Sequence, residues 1–353
     1  MRTGTRSDAE SVSERTARFF TEVRLWAYKF SDACWLGPAS KYARVGVRLR
    51  EEKVRIALLH NPKAGRSDYS GPKLKRLLRQ AGHRVTYYSI KDGGWKSALK
   101  DGPDLVVVAG GDGTVAKVAR RLIGRETPLS VLPLGTANNL AQALGFEGTV
   151  EELIAAVGKG RLYGIDVGEA RGPWGKRWIF EGAGAGLLAE YLRSPHPELE
   201  GLSSEEQMKR HVLALRRLLT THRGQRWQFK LDGETLEDRF LLFEAMNTHS
   251  IGPALKLAPG AHAGDGHFNL VLVRENDRQT LLDYFEARLR RRKKPPFPLS
   301  GRRFRRLQIK WKGAPLHLDD DLWPEKGKTH DKSAELEIRV RPGALRVLRP
   351  QCT

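Results

Sequence analysis

The chain has 353 residues, room for two domains that each bury a core. Hydrophobic residues at 40% and charged residues at 29% exclude a disordered or fibrous protein. Two cysteines, Cys34 and Cys352, exclude a disulfide framework and a thiolate metal site. No apolar run is long enough to span a bilayer, and the charged start does not read as a signal peptide, so the cytoplasm is the expected compartment.

In residues 1–50, a basic amphipathic extension, Phe19, Val23, Trp26 and Phe30 recur at helical spacing among Arg15, Arg18, Arg24 and Lys29. Such a face suits an interfacial helix on a membrane, or packing against the rest of the chain or a second subunit, which would make a homodimer. From residue 51 to 168, strands alternate with helices. Val54 to His60 is an apolar strand ending in Asn61-Pro62-Lys63-Ala64-Gly65-Arg66. The helical Pro72 to Gln80 leads to a strand from Arg84 to Ile90, which carries Ser89 near its end. Leu105 to Ala109 is the next strand and runs into Gly110-Gly111-Asp112-Gly113-Thr114, then a helix from Val115 to Leu122. Leu129 to Leu134 ends in Gly135-Thr136-Ala137-Asn138-Asn139 before another helical stretch.

This alternation predicts an α/β domain on a doubly wound parallel sheet. Ligands of such sheets lie beyond the carboxyl ends of the strands, where three polar, glycine-bearing loops converge. Glycines let the backbone approach a ligand, and a helix N-terminus favours anions. The Asp112 carboxylate can reach a hydrated cation that bridges phosphates. No Gly-Lys-Ser/Thr closes the loop, so it is not a Walker A loop.

After Asp166-Val167-Gly168 the chain turns strand-rich, with strands at 177–181, 226–231, 240–245, 268–273, 307–311 and 335–340. Short strands split by Gly, Pro and Asp turns predict an antiparallel β-sandwich over residues 169–340. A helical insertion at 203–219 interrupts it, opening with the cap-type Ser203-Ser204-Glu205-Glu206. Residues 341–350 are a segment that can rejoin the first domain.

Asn-Pro-x-Ala-Gly at Asn61, Gly-Gly-Asp-Gly-Thr at Gly110 and Leu-Pro-Leu-Gly-Thr-Ala-Asn-Asn at Leu132 together resemble the diacylglycerol kinase catalytic-domain family, which includes bacterial lipid kinases and sphingosine kinases. The likeness runs from about Val54 to Pro350. It implies ATP-dependent, Mg²⁺-dependent phosphorylation of a lipid hydroxyl in a cleft between the two domains. The middle motif is shared with NAD kinases, so an NAD kinase is the first alternative.

The resemblance assigns nucleotide contacts to Asn61, Pro62, Lys63, Ala64, Gly65, Arg66, Ser89, Gly110, Gly111, Asp112, Gly113, Thr114, Val115, Ala116, Thr136 and Asn138. Ala263-Gly264-Asp265-Gly266-His267 is similar to a family segment that helps bind a cation. It implies metal contacts from Asp265 and the backbone carbonyls of His262 and His267, with Asp166 acting indirectly. On the residues alone, Asp265-Gly266 is equally a turn.

Family members carry Asp-Gly-Glu late in the chain, where the Glu is the general base. Leu231-Asp232-Gly233-Glu234 has the letters but precedes the Asp265 segment and reads as a hairpin turn. Chain order instead puts Asp321 of His317-Leu318-Asp319-Asp320-Asp321 at the catalytic position. The usual Asn-Glu after the middle motif is Ala116-Lys117 here, and the usual Asn-Asp is Asn138-Asn139. Fewer carboxylates weaken cation binding, which opens a second alternative, a nucleotide- or lipid-binding protein of reduced turnover.

The net charge of +21 is concentrated partly in Arg288 to Lys294 and in Arg302, Arg303, Arg305 and Arg306. These charges suit peripheral contact with an anionic bilayer, where each is worth about 1 kcal/mol. No nucleic-acid-binding motif accompanies them, so no nucleic acid partner is expected.

Overall fold

The computed structural model describes residues 53–64, 68–195, 198–290, 297–325, 328 and 333–350. Residues 1–50, Gly65, Arg66, the run Arg291 to Lys294 and Cys352 lie outside the described residues.

Four strands form the parallel part of the sheet: β1 (Arg55–His60), β2 (Arg84–Ser89), β3 (Leu105–Gly110) and β4 (Leu129–Pro133), in the order β2-β1-β3-β4. All six residues of β3 are buried, as a strand covered on both faces requires. The covering helices include α1 (Gly71–Gln80), α2 (Trp95–Ala98) and α3 (Asp112–Leu122). Ser70 caps α1 by accepting from the Lys73 amide, Pro72 sits in the first turn, and Leu74 and Leu78 bury one stripe. Helix α3 buries Val115, Val118, Ala119 and Leu122 and starts at Gly111 without a side-chain cap. The chain runs from β1 outward to β2, then crosses back to β3 on the other side of β1. The resulting switch point, between the carboxyl ends of β1 and β3, is where ligands of such sheets bind.

Short helices α4 (Asn139–Ala143) and α5 (Val150–Ala156) lead into the second lobe. Its strands β5 (Arg161–Gly172), β6 (Gly175–Ile179), β7 (Gly182–Gly186), β8 (Gln225–Leu231), β9 (Glu234–Met246), β10 (Phe268–Arg274), β11 (Arg302–Phe304), β12 (Arg306–Trp311), β13 (Leu316–Leu318), β14 (Asp321–Trp323) and β15 (Ala334–Arg349) pair antiparallel with one another. Aromatic side chains fill the space between them, with Trp227, Phe229, Phe240, Phe243, Phe268, Phe304 and Trp311 all buried. Helices α6 (Leu187–Arg193), α7 (Ser204–Thr221) and α8 (Arg278–Leu289) cover a second apolar layer built on Leu215, Leu219, Leu281 and Phe285. A capping box between Ser203 and Glu206 starts α7.

The fold is a mixed sheet with parallel strands in an N-terminal α/β lobe, followed by a C-terminal antiparallel β-sandwich. The lobes share strands. β15 pairs with β12 and β5, and its end brings Val347 beside Leu129 of β4. Strand β7, Gly-Ala-Gly-Ala-Gly, has no alternating pattern from which to read it. A Cβ at Gly184 would lie 2.2 Å from the Phe243 carbonyl oxygen and 2.3 Å from a Glu244 carboxylate oxygen. Only glycine fits there.

Candidate active site

The three loop tips meet at the rim of β1, β3 and β4. The Asn61 amide nitrogen donates to the Thr114 hydroxyl at 3.2 Å, and the Asn61 backbone N–H donates to the Ala109 carbonyl at 2.9 Å. Gly111 and Gly135 touch backbone to backbone, since a Cβ on Gly135 would sit 2.6 Å from the Gly111 Cα. Asn138 adopts a left-handed conformation (φ 50°) and its side chain exchanges two hydrogen bonds with the backbone of Gly135. Asp112 was expected to point at a cation. Its two oxygens instead accept from the Asn139 and Leu140 amides, each at 3.0 Å, so the carboxylate ties the second loop to the third.

The second lobe brings acids to this rim. Asp319 (φ 52°) accepts from the backbone N–H groups of Phe180, Glu181 and Gly182. That anchor turns Asp320 toward the glycine loop, where a Cβ on Gly113 would be 3.1 Å from an Asp320 oxygen. Glu181 is buried and accepts from the Asn139 side-chain amide at 2.9 Å. Asn139 thus stands opposite a carboxylate that comes from the other lobe.

Burial pushes the Asp112 carboxyl up to about 6, against the amides it accepts from and with Asp320 adding to the rise. Burial likewise pushes Asp319 up to about 6 and Glu181 well above the usual carboxylate range, with Asp112, Asp320 and Asp319 reinforcing Glu181. Asp320 rises for the same first reason. Four acids crowd one rim with their charges incompletely balanced.

Beneath them lies a buried pair. The His317 Nε2 meets the Glu244 carboxylate at 2.9 Å, and both side chains are almost wholly covered. Burial pulls the His317 pKa down, but the Glu244 charge outweighs it and the net shift is upward. The other ring nitrogen, Nδ1, lies 3.0 Å from the Asp319 carbonyl oxygen, which links the pair to the acidic turn.

Asp321, the expected base, opens β14 with its side chain 51% exposed. One oxygen lies 3.5 Å from Arg120 of α3 and 3.7 Å from Arg177 of β6. It flanks a cleft of about 650 Å³ lined by Arg120, Lys176, Arg177, Trp178, Leu318, Asp320, Leu322 and Glu325. Glu234 is elsewhere, beyond the β8–β9 turn, where it pairs with Arg302. Asp232 and Gly233 both have positive φ in that turn, and the Asp232 carboxylate accepts from the Arg305 and Arg306 amides.

The other predicted residues divide by position. Lys63 and Ala64 donate their amides to the Asn61 side chain and carbonyl, which shapes the first loop, and Pro62 is exposed beside them. Ser89 lies on the far side of β1, paired in register with His60, and its hydroxyl accepts from the Lys91 amide. The side chains of Val115 and Ala116 are buried in the core, which leaves only their backbone for a ligand. The Thr136 hydroxyl donates to Gln207 of α7 at 2.9 Å, across to the other lobe. Lys117 turns away from the rim, over the Trp95 ring.

The expected cation loop is arranged differently. One Asp265 oxygen accepts from the His267 amide at 3.0 Å and the other from Arg303 Nη2 at 2.8 Å. Asp166, 2% exposed, spends both oxygens on the amides of Gly266 and Gly343. The His262 carbonyl accepts from the Gly264 amide at 2.8 Å. A divalent ion takes about six oxygen ligands, of which Mg²⁺ usually keeps several as water and draws the rest from one or two carboxylates. This loop fits one poorly, because the oxygens of Asp265, Asp166 and the His262 carbonyl already serve N–H donors or a guanidinium.

Sequence reasoning missed Glu181, Asp319, Asp320 and the Glu244–His317 pair. The available signal was acids set in otherwise apolar stretches, as in Phe243-Glu244-Ala245 of β9 and Phe180-Glu181-Gly182 at the junction of β6 and β7.

Residues 55–170 match the diacylglycerol kinase catalytic domain, and residues 202–349 match the YegS C-terminal NAD kinase beta sandwich-like domain. The diacylglycerol kinase of Bacillus subtilis (strain 168) is 27% identical over 234 residues, covering 63% of this chain and 74% of that protein. The diacylglycerol kinase of Mycobacterium tuberculosis (strain ATCC 25618 / H37Rv) is 27% identical over 265 residues, covering 72% and 80%. The crystal structure of a diacylglycerol kinase from Bacillus anthracis str. Sterne shares the fold, with a TM-score of 0.63 at 18% identity over 84% of this chain and 96% of that one.

Proposed function

We propose that this chain, which belongs to the diacylglycerol kinase catalytic-domain family and is a lipid kinase, transfers the γ-phosphate of ATP to a hydroxyl of a diacylglycerol-like or sphingoid lipid. The observation that carries the reading is the meeting of three glycine-bearing loops with Asp320 set against Gly113.

Asn61, Gly110, Gly111, Gly113, Thr114 and Thr136 are the residues we assign to the phosphates and ribose, with backbone amides and the α3 N-terminus facing the polyphosphate. Asp320 would hold Mg²⁺, which when bound offsets the charge of the phosphates, while Asp112 positions the loops around it. Asp321 takes the proton from the lipid hydroxyl. The hydroxyl oxygen attacks the γ-phosphorus in line, the bond to the β–γ bridging oxygen breaks, and its electron pair leaves on ADP. Arg120 and Arg177 hold Asp321 at the mouth of the cleft, whose Trp178, Leu318 and Leu322 offer an apolar wall to the acceptor. A lipid acceptor also calls for a bilayer surface, and the excess of 62 basic over 41 acidic residues favours an anionic one. Among the described residues no helix is long and apolar enough to cross a membrane.

The match of residues 202–349 to an NAD kinase-like sandwich favours a second reading, phosphorylation of NAD. Incubation with γ-labelled ATP, Mg²⁺ and either mixed lipids or NAD separates them. Label in organic-extractable product supports the lipid acceptor, and label in NADP supports the other. Label in neither, with nucleotide still bound, describes a binding protein and overturns both.

A further inference from the structure

The segment that resembles a family cation loop is closed around an arginine. Arg303 lies on β11, whose pairing with β10 sets it opposite Asn269, directly after the Ala263–His267 turn. From there its Nη2 donates to the Asp265 carboxylate at 2.8 Å and lies 2.9 Å from the His267 Nδ1. That ring nitrogen also lies 2.9 Å from the Asp265 carbonyl oxygen. Most of the other oxygens the resemblance would offer a metal already have donors. Asp265 Oδ1 takes the His267 amide, Asp166 takes Gly266 and Gly343, and the His262 carbonyl takes Gly264. The Asp166 carbonyl accepts from the Asn247 side chain.

We propose that the Arg303 guanidinium takes the place of a structural divalent cation at the Asp265 loop, so that this part of the fold forms without metal. A guanidinium suits the task because it is always charged and presents several donors in a fixed plane. Its charge of one matches the single carboxylate at Asp265 that no opposite charge otherwise meets. Asp166 has an amide on each oxygen, and burial, with the Asp265 charge adding to it, still raises its pKa. The inference goes beyond the kinase reading and does not depend on turnover.

Thermal unfolding of the full chain without nucleotide tests it, in EDTA and then with excess Mg²⁺ or Ca²⁺, beside Asp265→Asn. The wild type is expected to show no metal-dependent rise in Tm beyond any that Asp265→Asn shows. Arg303→Gln is expected to lose a few degrees in EDTA, which is the scale of about one kcal/mol at this size, and to regain them with metal. A metal response in the wild type that Asp265→Asn abolishes overturns the proposal. So does an Arg303→Gln deficit that no divalent ion reverses. If Arg303→Gln does not fold, Arg303→Lys decides: indifference to metal supports the proposal, and a gained response overturns it.

Discussion

Two groups of carboxylates in this molecule are handled in opposite ways. At the loop rim, burial first and neighbouring acids second raise the proton affinity of Asp112, Glu181, Asp319 and Asp320, and only part of their charge is answered. At the 262–267 turn, each oxygen of Asp166 and Asp265 has a donor, from an amide or Arg303, although burial and Asp265 raise the Asp166 pKa as well. The first arrangement is costly unless something positive arrives, which is what a site for a cation and polyphosphate needs. The second is finished on its own. Surplus charge in the native state marks the rim as the working part, and balance marks the turn as scaffold.

The largest effect expected at the rim is on chemistry. Asp321→Ala should lower kcat by about 10²–10⁴-fold while Mg·ATP affinity holds, whereas Asp320→Ala should weaken Mg·ATP itself. Single-turnover assays with nucleotide titrations check both, and the reverse result would exchange the two roles. Next in size, Glu244→Ala leaves His317 buried without its partner and should cost about 3–5 kcal/mol in denaturant unfolding. Replacing both by leucine should recover much of that stability and leave turnover impaired, because the Asp319 turn loses its support.

pH gives a smaller and more general test. Asp112 and Asp319 have folded values near 6, above the ordinary carboxylate value. Their stabilising contribution is therefore complete below about pH 4 and is lost as pH rises through about 6. His317, also raised by Glu244, gives the same sign at higher pH. The nucleotide-free protein should lose about 1–3 kcal/mol between pH 5 and 8, and Mg·ATP should flatten the slope. A slope unchanged by Mg·ATP would break the contrast between rim and turn. Smallest of all, Gln207→Ala removes one exposed hydrogen bond to Thr136, worth about 1 kcal/mol. It should change the KM for ATP by less than about tenfold and leave kcat alone.

The nucleotide lobe was legible because its signals are local. Leu105 to Ala109 followed by glycines is a buried strand meeting a helix, and each feature is visible within ten residues or so of chain. Asp320 was not legible as a neighbour of Gly113, because nothing in either segment announces a contact across the fold. The Asp265 turn shows the limit most clearly. The residues 263–267 resemble a cation loop, and it is Arg303, on another strand, that changes their chemistry. β7 failed for another reason, since five small residues carry no period.

Strand β15 has a further consequence. Its first half belongs to the sandwich, its last residues lie against β4, and the bulge between Arg341 and Leu345 with Gly343 at φ 61° marks the passage between them. A ribbon woven into both halves forbids them to swing apart as separate rigid bodies. Movement between the halves has to twist the paired β5 and β15 together, past the bulge at Gly343, whose amide donates to Asp166 at 3.0 Å. Melting one half strips a seam from the other, so calorimetry should record a single cooperative transition rather than two.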